Sequence, residues 1–190
     1  MKTIHLSQQD MRRRVARYTE LAPLATQTDA AVPLAARDLM YARKLLSVIG
    51  LEDAATPISS DAPIKGAAGM TMTLAVCPPG QGPELHAHRR TFETFTVLRG
   101  RFEVRWNDDG AERLELGELD TISVPPGVCR AFRNVGDAAG ILQVIITGGV
   151  HDMQDIDFAR RIAGQLEAIS PGARAYFERA GFTFTAGCDD

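Results

Sequence analysis

The stretch GQGPELHAHRRTFETFTVLRG, residues 80–100, is the part of the sequence that decides the fold. His86 and His88 are two positions apart, so on a β-strand both side chains point to the same face of the sheet. Glu93 follows a polar turn and begins the next strand, where it shares a face with Phe95. This alternation predicts that Glu93 points, with the two histidines, into an apolar interior.

A carboxylate beside two imidazoles in an apolar interior needs a partner, because an unpaired buried charge is very costly. Two neutral imidazoles and one carboxylate are a suitable facial set for a divalent metal, with positions left open for water or substrate. Histidines on strands are also common on surfaces and in hydrogen-bonded cores. The H-x-H pair alone is therefore weak, and the spacing of the whole stretch carries more weight.

Between about residues 64 and 150, short apolar runs alternate with turn signals, which is typical of an all-β sandwich or barrel. The triplet Asp108-Asp109-Gly110 predicts a tight hairpin turn. The predicted strands cover residues 70–76, 84–88, 93–98, 101–106, 113–116, 121–124, 130–133 and 141–147.

The spacing from Gly80 through the two histidines and Glu93 to Gly100 fits, without a gap, the first sequence motif of the cupin superfamily. A second cupin motif is present in LDTISVPPGVCRAFRN, residues 119–134. Over residues 64–150 the chain thus resembles a single-domain cupin of the type-2 barrel group. The resemblance implies an all-β core folded as a double-stranded β-helix (a jelly-roll barrel). It also implies an interior pocket that often holds an Fe, Mn, Ni, Zn or Cu ion.

The chain departs from this family in its second motif. Cupins usually carry a histidine, the remaining metal ligand, three residues after the turn glycine, and Arg130 stands at that position after Gly127. The first glycine of the motif is also displaced, because Leu119 occupies its expected place and Gly117 lies two residues earlier. The resemblance therefore implies metal ligands only at the three matching positions, His86, His88 and Glu93.

Arg130 bears directly on metal binding. A guanidinium about 5 Å from a divalent ion would be repelled by roughly 6 to 7 kcal/mol at an effective dielectric near 20. Three arrangements stay open. Arg130 turns away and leaves a two-histidine, one-carboxylate site, or it pairs with Glu93 in a metal-free pocket, or it holds an anionic substrate group beside the metal.

Other side chains are candidates for the pocket wall. Phe95 and Phe132 are predicted to contact substrate, and Gln143, the only polar residue in its strand, either faces the cavity or bonds within the barrel wall. Cys129 is interpreted as a small core residue that faces away from the pocket. His151 follows the last strand and is interpreted as a surface histidine rather than a replacement ligand.

The two ends of the chain are predicted to be helical. Residues 1–63 form an N-terminal helix, placed at 7–22, and an arm, within which residues 41–49 fit a strand better than a helix. Residues 64–150 form the barrel. Residues 151–190 hold two helices, 156–166 and 171–180, and a tail.

Composition narrows the function classes. The 190 residues carry a net charge of −3, so nothing suggests broad attraction to nucleic acid or to an anionic membrane. The three cysteines form no C-x-x-C pair, and no signal peptide or apolar run of membrane-spanning length is evident. We expect a cytoplasmic protein whose apolar arm and helices make it a homodimer.

Two classes of function fit these residues. The first is a metal-dependent enzyme of dioxygenase type that acts on a small anionic or phenolic substrate. There the resemblance implies His86 and His88 as neutral ligands to an Fe, Mn, Ni or Zn ion, Glu93 as the anionic ligand, and Arg130 as a substrate anchor with a catalytic role. Metal-assisted isomerase or lyase chemistry is an alternative. The second class is a non-catalytic module that binds or senses a small anion.

Overall fold

The structure is a computed structural model that describes residues 1–51, 56–66, 69–148 and 153–187. Its core consists of two six-stranded sheets packed face to face, as in the predicted double-stranded β-helix. In spatial order, the first sheet contains β2 (Ile64–Lys65), β1 (Lys44–Gly50), β3 (Met70–Cys77), β10 (Gly140–Thr147), β5 (Phe92–Arg99) and β8 (Thr121–Val124). The second contains β12 (Thr183–Ala186), β11 (Ile156–Ala159), β4 (His86–His88), β9 (Arg130–Asn134), β6 (Phe102–Trp106) and β7 (Glu112–Leu116).

The described part of the chain contains five α-helices, which lie in the terminal segments and in the connection after β1. Their bounds are α1 (Gln8–Arg12), α2 (Leu34–Met40), α3 (Pro57–Asp61), α4 (Arg160–Ile169) and α5 (Ala173–Arg179). Single 3₁₀ turns cover Tyr18–Glu20, Ala25–Gln27 and Met153–Asp155. Within the described ranges, no helix has both the length and the apolar character needed to cross a membrane.

The all-β core and its jelly-roll class are confirmed, and all eight strands predicted between residues 70 and 147 are present within a few residues of their expected bounds. The segment 41–49 is a strand, β1, as the sequence favoured. Strands from both terminal segments join the sheets, since β1 pairs with β3 and β11 pairs with β4. The two sheets therefore contain strands from all three predicted segments.

Two predictions for the ends of the chain are wrong. The helix expected at 7–22 is only the five residues of α1, none of them buried, and so short a helix is marginal without tertiary packing. The helix expected from residue 156 begins four residues later, because Ile156–Ala159 form β11. In this segment, Ile156 and Phe158 lie two positions apart and therefore share one face of the strand.

Two hydrophobic clusters hold the layers together. The first fills the space between the sheets and includes Phe95, Phe102 and Phe132. The second lies outside the second sheet, where Ala87 and Ala131 pack with apolar residues of α2, α4 and α5. The outer face of the second sheet is thus covered by the chain's own helices.

The loop before β4 runs close against β9. The Asn134 amide donates to Gln81 O over 3.0 Å, and the Gly80 amide donates to Asn134 O over 2.8 Å. A Cβ on Gly82 would stand 1.9 Å from Phe132 O, closer than any real contact. Glycine at this position therefore allows the loop to pass close to β9 just before it enters β4, the strand that carries His86 and His88.

We predict that Gly82→Ala destabilises the fold by about 2 to 3 kcal/mol, because the loop must move away from β9. Gly164→Ala in α4 is the matched control, since nothing lies within 4 Å of the added Cβ, and it should stabilise the fold by up to about 1 kcal/mol. Urea unfolding of both variants checks the prediction. Equal stability of Gly82→Ala and the wild type would contradict the close approach.

Candidate metal centre

Three buried side chains converge between the sheets. His86 and His88 lie on the inner face of β4, and Glu93 faces them from β5, with exposed fractions of 6%, 2% and 5%. Glu93 Oε2 lies 3.6 Å from His86 Nε2 and 3.5 Å from His88 Nε2. The three residues predicted to form a set are therefore brought together.

One hydrogen bond and one ring contact orient the His86 imidazole. Its Nδ1 lies 2.8 Å from Glu84 O, and a carbonyl oxygen only accepts, so Nδ1 carries the hydrogen. In the neutral ring, Nε2 then has a free lone pair that faces Glu93. The Phe158 ring stacks on His86 at 5.1 Å between centroids and packs against one side of the imidazole.

His88 is oriented by a carboxylate that the sequence analysis missed. Its Nδ1 lies 3.1 Å from Asp155 Oδ2, which also accepts a hydrogen bond of 2.5 Å from Thr91 Oγ1. A carboxylate that accepts from the distal nitrogen of a histidine ligand fixes its tautomer and raises its basicity. Asp155 is 67 positions from His88, and the segment after it was predicted as helix, so only the pairing of β11 with β4 reveals the contact.

Both carboxylates of the cluster remain ionised. Burial raises the pKa of Glu93, but the neighbouring His88, His86 and Arg130 more than offset this and lower it to about 2. Burial also raises the pKa of Asp155, and hydrogen bonds from His88, Thr91 and the Arg90 amide outweigh it, so that its pKa falls to about 2. The cluster therefore keeps two negative charges near neutral pH.

Arg130 points inward and is fully buried, with 0% exposure. It pairs with His86 across β4 and β9, which places both side chains on the same face. Its Nε lies 3.7 Å from Glu93 Oε2 and its Nη2 donates to Pro125 O over 3.1 Å. The arrangement in which Arg130 turns away from the site is therefore wrong, and the guanidinium partly compensates Glu93.

The donor set fits a divalent metal ion. Glu93 Oε2 has no hydrogen-bond partner among the described residues, although it is buried and close to both Nε2 atoms. Glu93 Oε2 lies 3.6 and 3.5 Å from the two Nε2 atoms, less than twice the typical metal–ligand distance of about 2.1 Å, and all three ligand atoms lie within 4.8 Å of one another. The oriented lone pairs and the carboxylate oxygen form a group that can hold such an ion.

A cavity of about 330 Å³ opens onto this cluster. Apart from His86, His88 and Glu93, its wall is almost entirely apolar. The terminal segments contribute much of this wall, with Leu24, Met40, Tyr41, Met153, Phe158 and Phe182. These residues were not predicted from sequence, because a cavity wall and an ordinary core have the same apolar pattern.

The other predicted pocket residues lie in different places. Phe132 lines the cavity, whereas Phe95 packs behind it at 5.1 Å between ring centroids and does not line it. Gln143 lies on the opposite face of β10 from the cavity residue Val144, and its Nε2 is 3.1 Å from Met72 Sδ, so the structure does not bring it to the cavity. Cys129 packs in the cluster beneath the helices. His151 lies outside the described residues.

Comparison with known proteins agrees with this geometry. The family model described as a cupin domain matches residues 73–146, which span both sequence motifs. The chain carries a cupin domain. No curated protein sequence matches it.

Several solved structures resemble this cupin at low identity. The protein BH2720 of Bacillus halodurans is 21% identical, with 46% of this chain and 69% of that chain covered and a TM-score of 0.43. The cupin domain of Cnp3 from Schizosaccharomyces pombe is 16% identical, with 55% and 64% covered and a TM-score of 0.42. A predicted oxalate decarboxylase from Thermotoga maritima is 20% identical, with 41% and 65% covered and a TM-score of 0.38.

We predict that Asp155→Asn weakens metal binding by about ten- to a hundredfold, because the amide no longer fixes the His88 tautomer through a charged acceptor. Asp137→Asn, at an exposed position, is the control and should bind like the wild type. Titration calorimetry with Zn²⁺ or Mn²⁺ measures both affinities. Identical binding by Asp155→Asn and the wild type would show that Asp155 does not orient the ligand.

Proposed function

We propose that this cupin binds one divalent metal ion through His86, His88 and Glu93 and acts on a small molecule in the adjoining cavity. One observation carries the proposal. Two imidazole lone pairs and a buried carboxylate oxygen face one another with no hydrogen available between them when the rings are neutral. Three acceptors in such proximity are stabilised by a shared cation.

The apolar cavity wall, with the His–His–Glu cluster at one end, fits a substrate that has an apolar body and one polar end. The cavity volume of about 330 Å³ is at the low end for small-molecule sites, which suits a single-ring compound. Arg130 does not line the cavity, and its guanidinium lies 3.7 Å from Glu93. Of the two predicted substrate classes, this wall favours a small phenol over a strongly charged anion, and gives Arg130 the role of compensating Glu93 rather than anchoring substrate.

We infer dioxygenase-type chemistry as the reaction, with metal-assisted isomerase or lyase chemistry as the alternative. A bound Fe or Mn ion would supply redox chemistry and Lewis acidity at the polar end of the substrate, whereas Zn or Ni would favour the alternative. The chain's own residues hold the ring of the substrate against Phe132 and Phe158 and limit the access of water. His88, His86 and Arg130 lower the pKa of Glu93 to about 2 despite its burial, which supports its role as an anionic ligand rather than a proton donor.

A metal-free binding module is a second candidate, supported by Arg130. The fully buried guanidinium 3.7 Å from Glu93 gives a charge-balanced pair without any ion. In that case the cavity captures a ligand, and no metal chemistry follows. Metal analysis distinguishes the two candidates.

We expect the purified protein, after reconstitution with Fe²⁺, Mn²⁺, Ni²⁺ or Zn²⁺, to contain about one metal ion per chain. The double variant His86→Ala, His88→Ala should contain almost none, because two of the three ligands are gone. Elemental analysis of both proteins checks this. Equal, near-zero metal in both after reconstitution would reject the metal site and leave the binding module.

The reaction is examined with the same pair of proteins. Oxygen consumption in the presence of small phenols and catechols should require the Fe- or Mn-loaded wild type and be absent in the double variant. If the protein binds metal but consumes no oxygen, and instead converts a test compound under anaerobic conditions, the isomerase or lyase alternative is favoured.

We predict that Arg130→His tightens metal binding at least tenfold, because it removes a positive charge beside the site and restores a third imidazole. Arg133→His is the matched control. Arg133 lies on the same strand, but it pairs with Glu84 at 3.2 Å and does not contact the cluster. Titration calorimetry on both variants measures the difference. Unchanged or weaker affinity in Arg130→His would show that the guanidinium does not oppose the ion.

We also propose a cellular location, a partner and an assembly for this protein. A cytoplasmic location is supported by Cys77 and Cys129, which are buried and free. A small-molecule ligand is the proposed partner, and a homodimer is the proposed assembly.

A further inference from the structure

The cavity wall contains polar side chains besides the three candidate metal ligands. Thr26, Tyr41 and Thr73 also line the cavity. Burial raises the pKa of Tyr41 to about 13, so its phenol stays protonated near neutral pH. Apart from the candidate ligands, no described residue of the cavity wall carries a charged side chain. This part of the wall can therefore form hydrogen bonds but cannot compensate a charge.

Thr73 differs from the other two in having no partner. Thr26 and Tyr41 are joined by a hydrogen bond between their side chains. Thr73 is 4% exposed, and its hydroxyl has no hydrogen-bond partner among the described residues. Ser47, which pairs with Thr73 across β1 and β3, donates its own hydroxyl to Ile58 O instead. A buried hydroxyl without a partner is costly, so Thr73 offers an unused hydrogen-bonding group to the cavity.

The register of the first sheet sets the distance between Thr73 and the candidate ligands. Thr73 pairs with Val144 of β10, and Glu93 pairs from the other side with Ile146, two positions along the same strand. Strands lie about 4.8 Å apart with a rise of about 3.4 Å per residue, so the Cα atoms of Thr73 and Glu93 are about 12 Å apart. All four side chains line the cavity. A separation of this order accommodates a single-ring compound between the candidate ligands and Thr73.

We propose that Thr73 is a specificity-determining residue, whose hydroxyl binds a neutral hydroxyl or carbonyl group on the side of the substrate ring that lies away from the candidate ligands. The inference rests on the proposed function and extends the substrate from a simple phenol to a phenol with a second, neutral polar substituent. A threonine hydroxyl both donates and accepts hydrogen bonds, so it can serve either group. A carboxylate at this position is disfavoured, because the wall offers no positive charge to offset its desolvation.

Thr71 provides a matched control for Thr73. It lies two positions earlier on β3, on the same face of the strand, and is equally buried. It does not line the cavity. The same exchange of threonine for valine at the two positions therefore separates an effect on the bound compound from a general effect on the strand.

The test compares 4-hydroxybenzyl alcohol with 4-ethylphenol, which carries a methyl group in place of the alcohol hydroxyl. Titration calorimetry measures both dissociation constants for the full-length wild type, Thr73→Val and Thr71→Val, each in its metal-free and Zn²⁺-loaded form. The ratio of the two constants isolates the contribution of the alcohol hydroxyl, because changes in overall affinity cancel. Circular dichroism melts check the folding of each variant.

We expect Thr73→Val to shift this ratio by about fivefold or more in favour of 4-ethylphenol, because a neutral hydrogen bond is lost. Thr71→Val should keep the wild-type ratio, and so should Thr73→Ser, which retains the hydroxyl. If Thr73→Val fails to fold, Thr73→Ala takes its place in the comparison with Thr73→Ser. In the metal-free form, 4-hydroxybenzoate should bind about tenfold more weakly than the alcohol or worse.

An unchanged ratio in Thr73→Val, or an equal shift in Thr71→Val, overturns the inference. The absence of measurable binding of both compounds to both forms also overturns it, and binding of 4-hydroxybenzoate as tight as that of the alcohol rejects the neutral class. Elemental analysis reports on the metal site separately. A protein that takes up no metal but shows the shift caused by Thr73→Val would reject the proposed metal site and support the role of Thr73.

Discussion

The buried carboxylate of Glu93 is the interaction on which the rest of the site depends. One of its oxygens lies within 3.7 Å of His86 Nε2, His88 Nε2 and Arg130 Nε. These groups reach it from two other strands, β4 and β9, so the register of β4, β5 and β9 must be correct for the charge to be compensated. An uncompensated carboxylate at this depth would be very costly, which links the stability of the sandwich to the geometry of its site.

The C-terminal segment completes the site that the central strands form. Pairing of β11 with β4 places Asp155 behind His88 and Phe158 against His86. The same segment contributes to the cavity wall. The first cupin motif therefore supplies the three candidate ligand atoms, while the C-terminal segment sets the tautomer of His88 and part of the shape of the cavity beside it. The shape of the cavity in this chain thus depends on residues that lie outside both motifs.

The ligand set was predictable because strand periodicity is local. Side chains two positions apart share a face, so His86 and His88 had to point together. The direction of Arg130 was not predictable in this way, because β9 carries apolar residues on both of its faces. Phe132 faces the cavity, and Ala131 packs beneath the helices on the other side. Asp155 and the cavity wall depend on contacts between distant segments, which no local pattern encodes, and β11 was misread because its apolar residues also fit a helix.

Arg130 changes the charge balance beside the proposed metal site. Its guanidinium lies 3.7 Å from Glu93 and offsets the charge of that carboxylate, so that these two groups together carry no net charge. With a histidine in place of Arg130, the carboxylate of Glu93 would instead offset part of the charge of a bound ion. In the presence of the arginine, an anionic ligand such as a phenolate or hydroxide would supply that negative charge in the buried site. The arginine thus favours an anionic ligand at the proposed metal site.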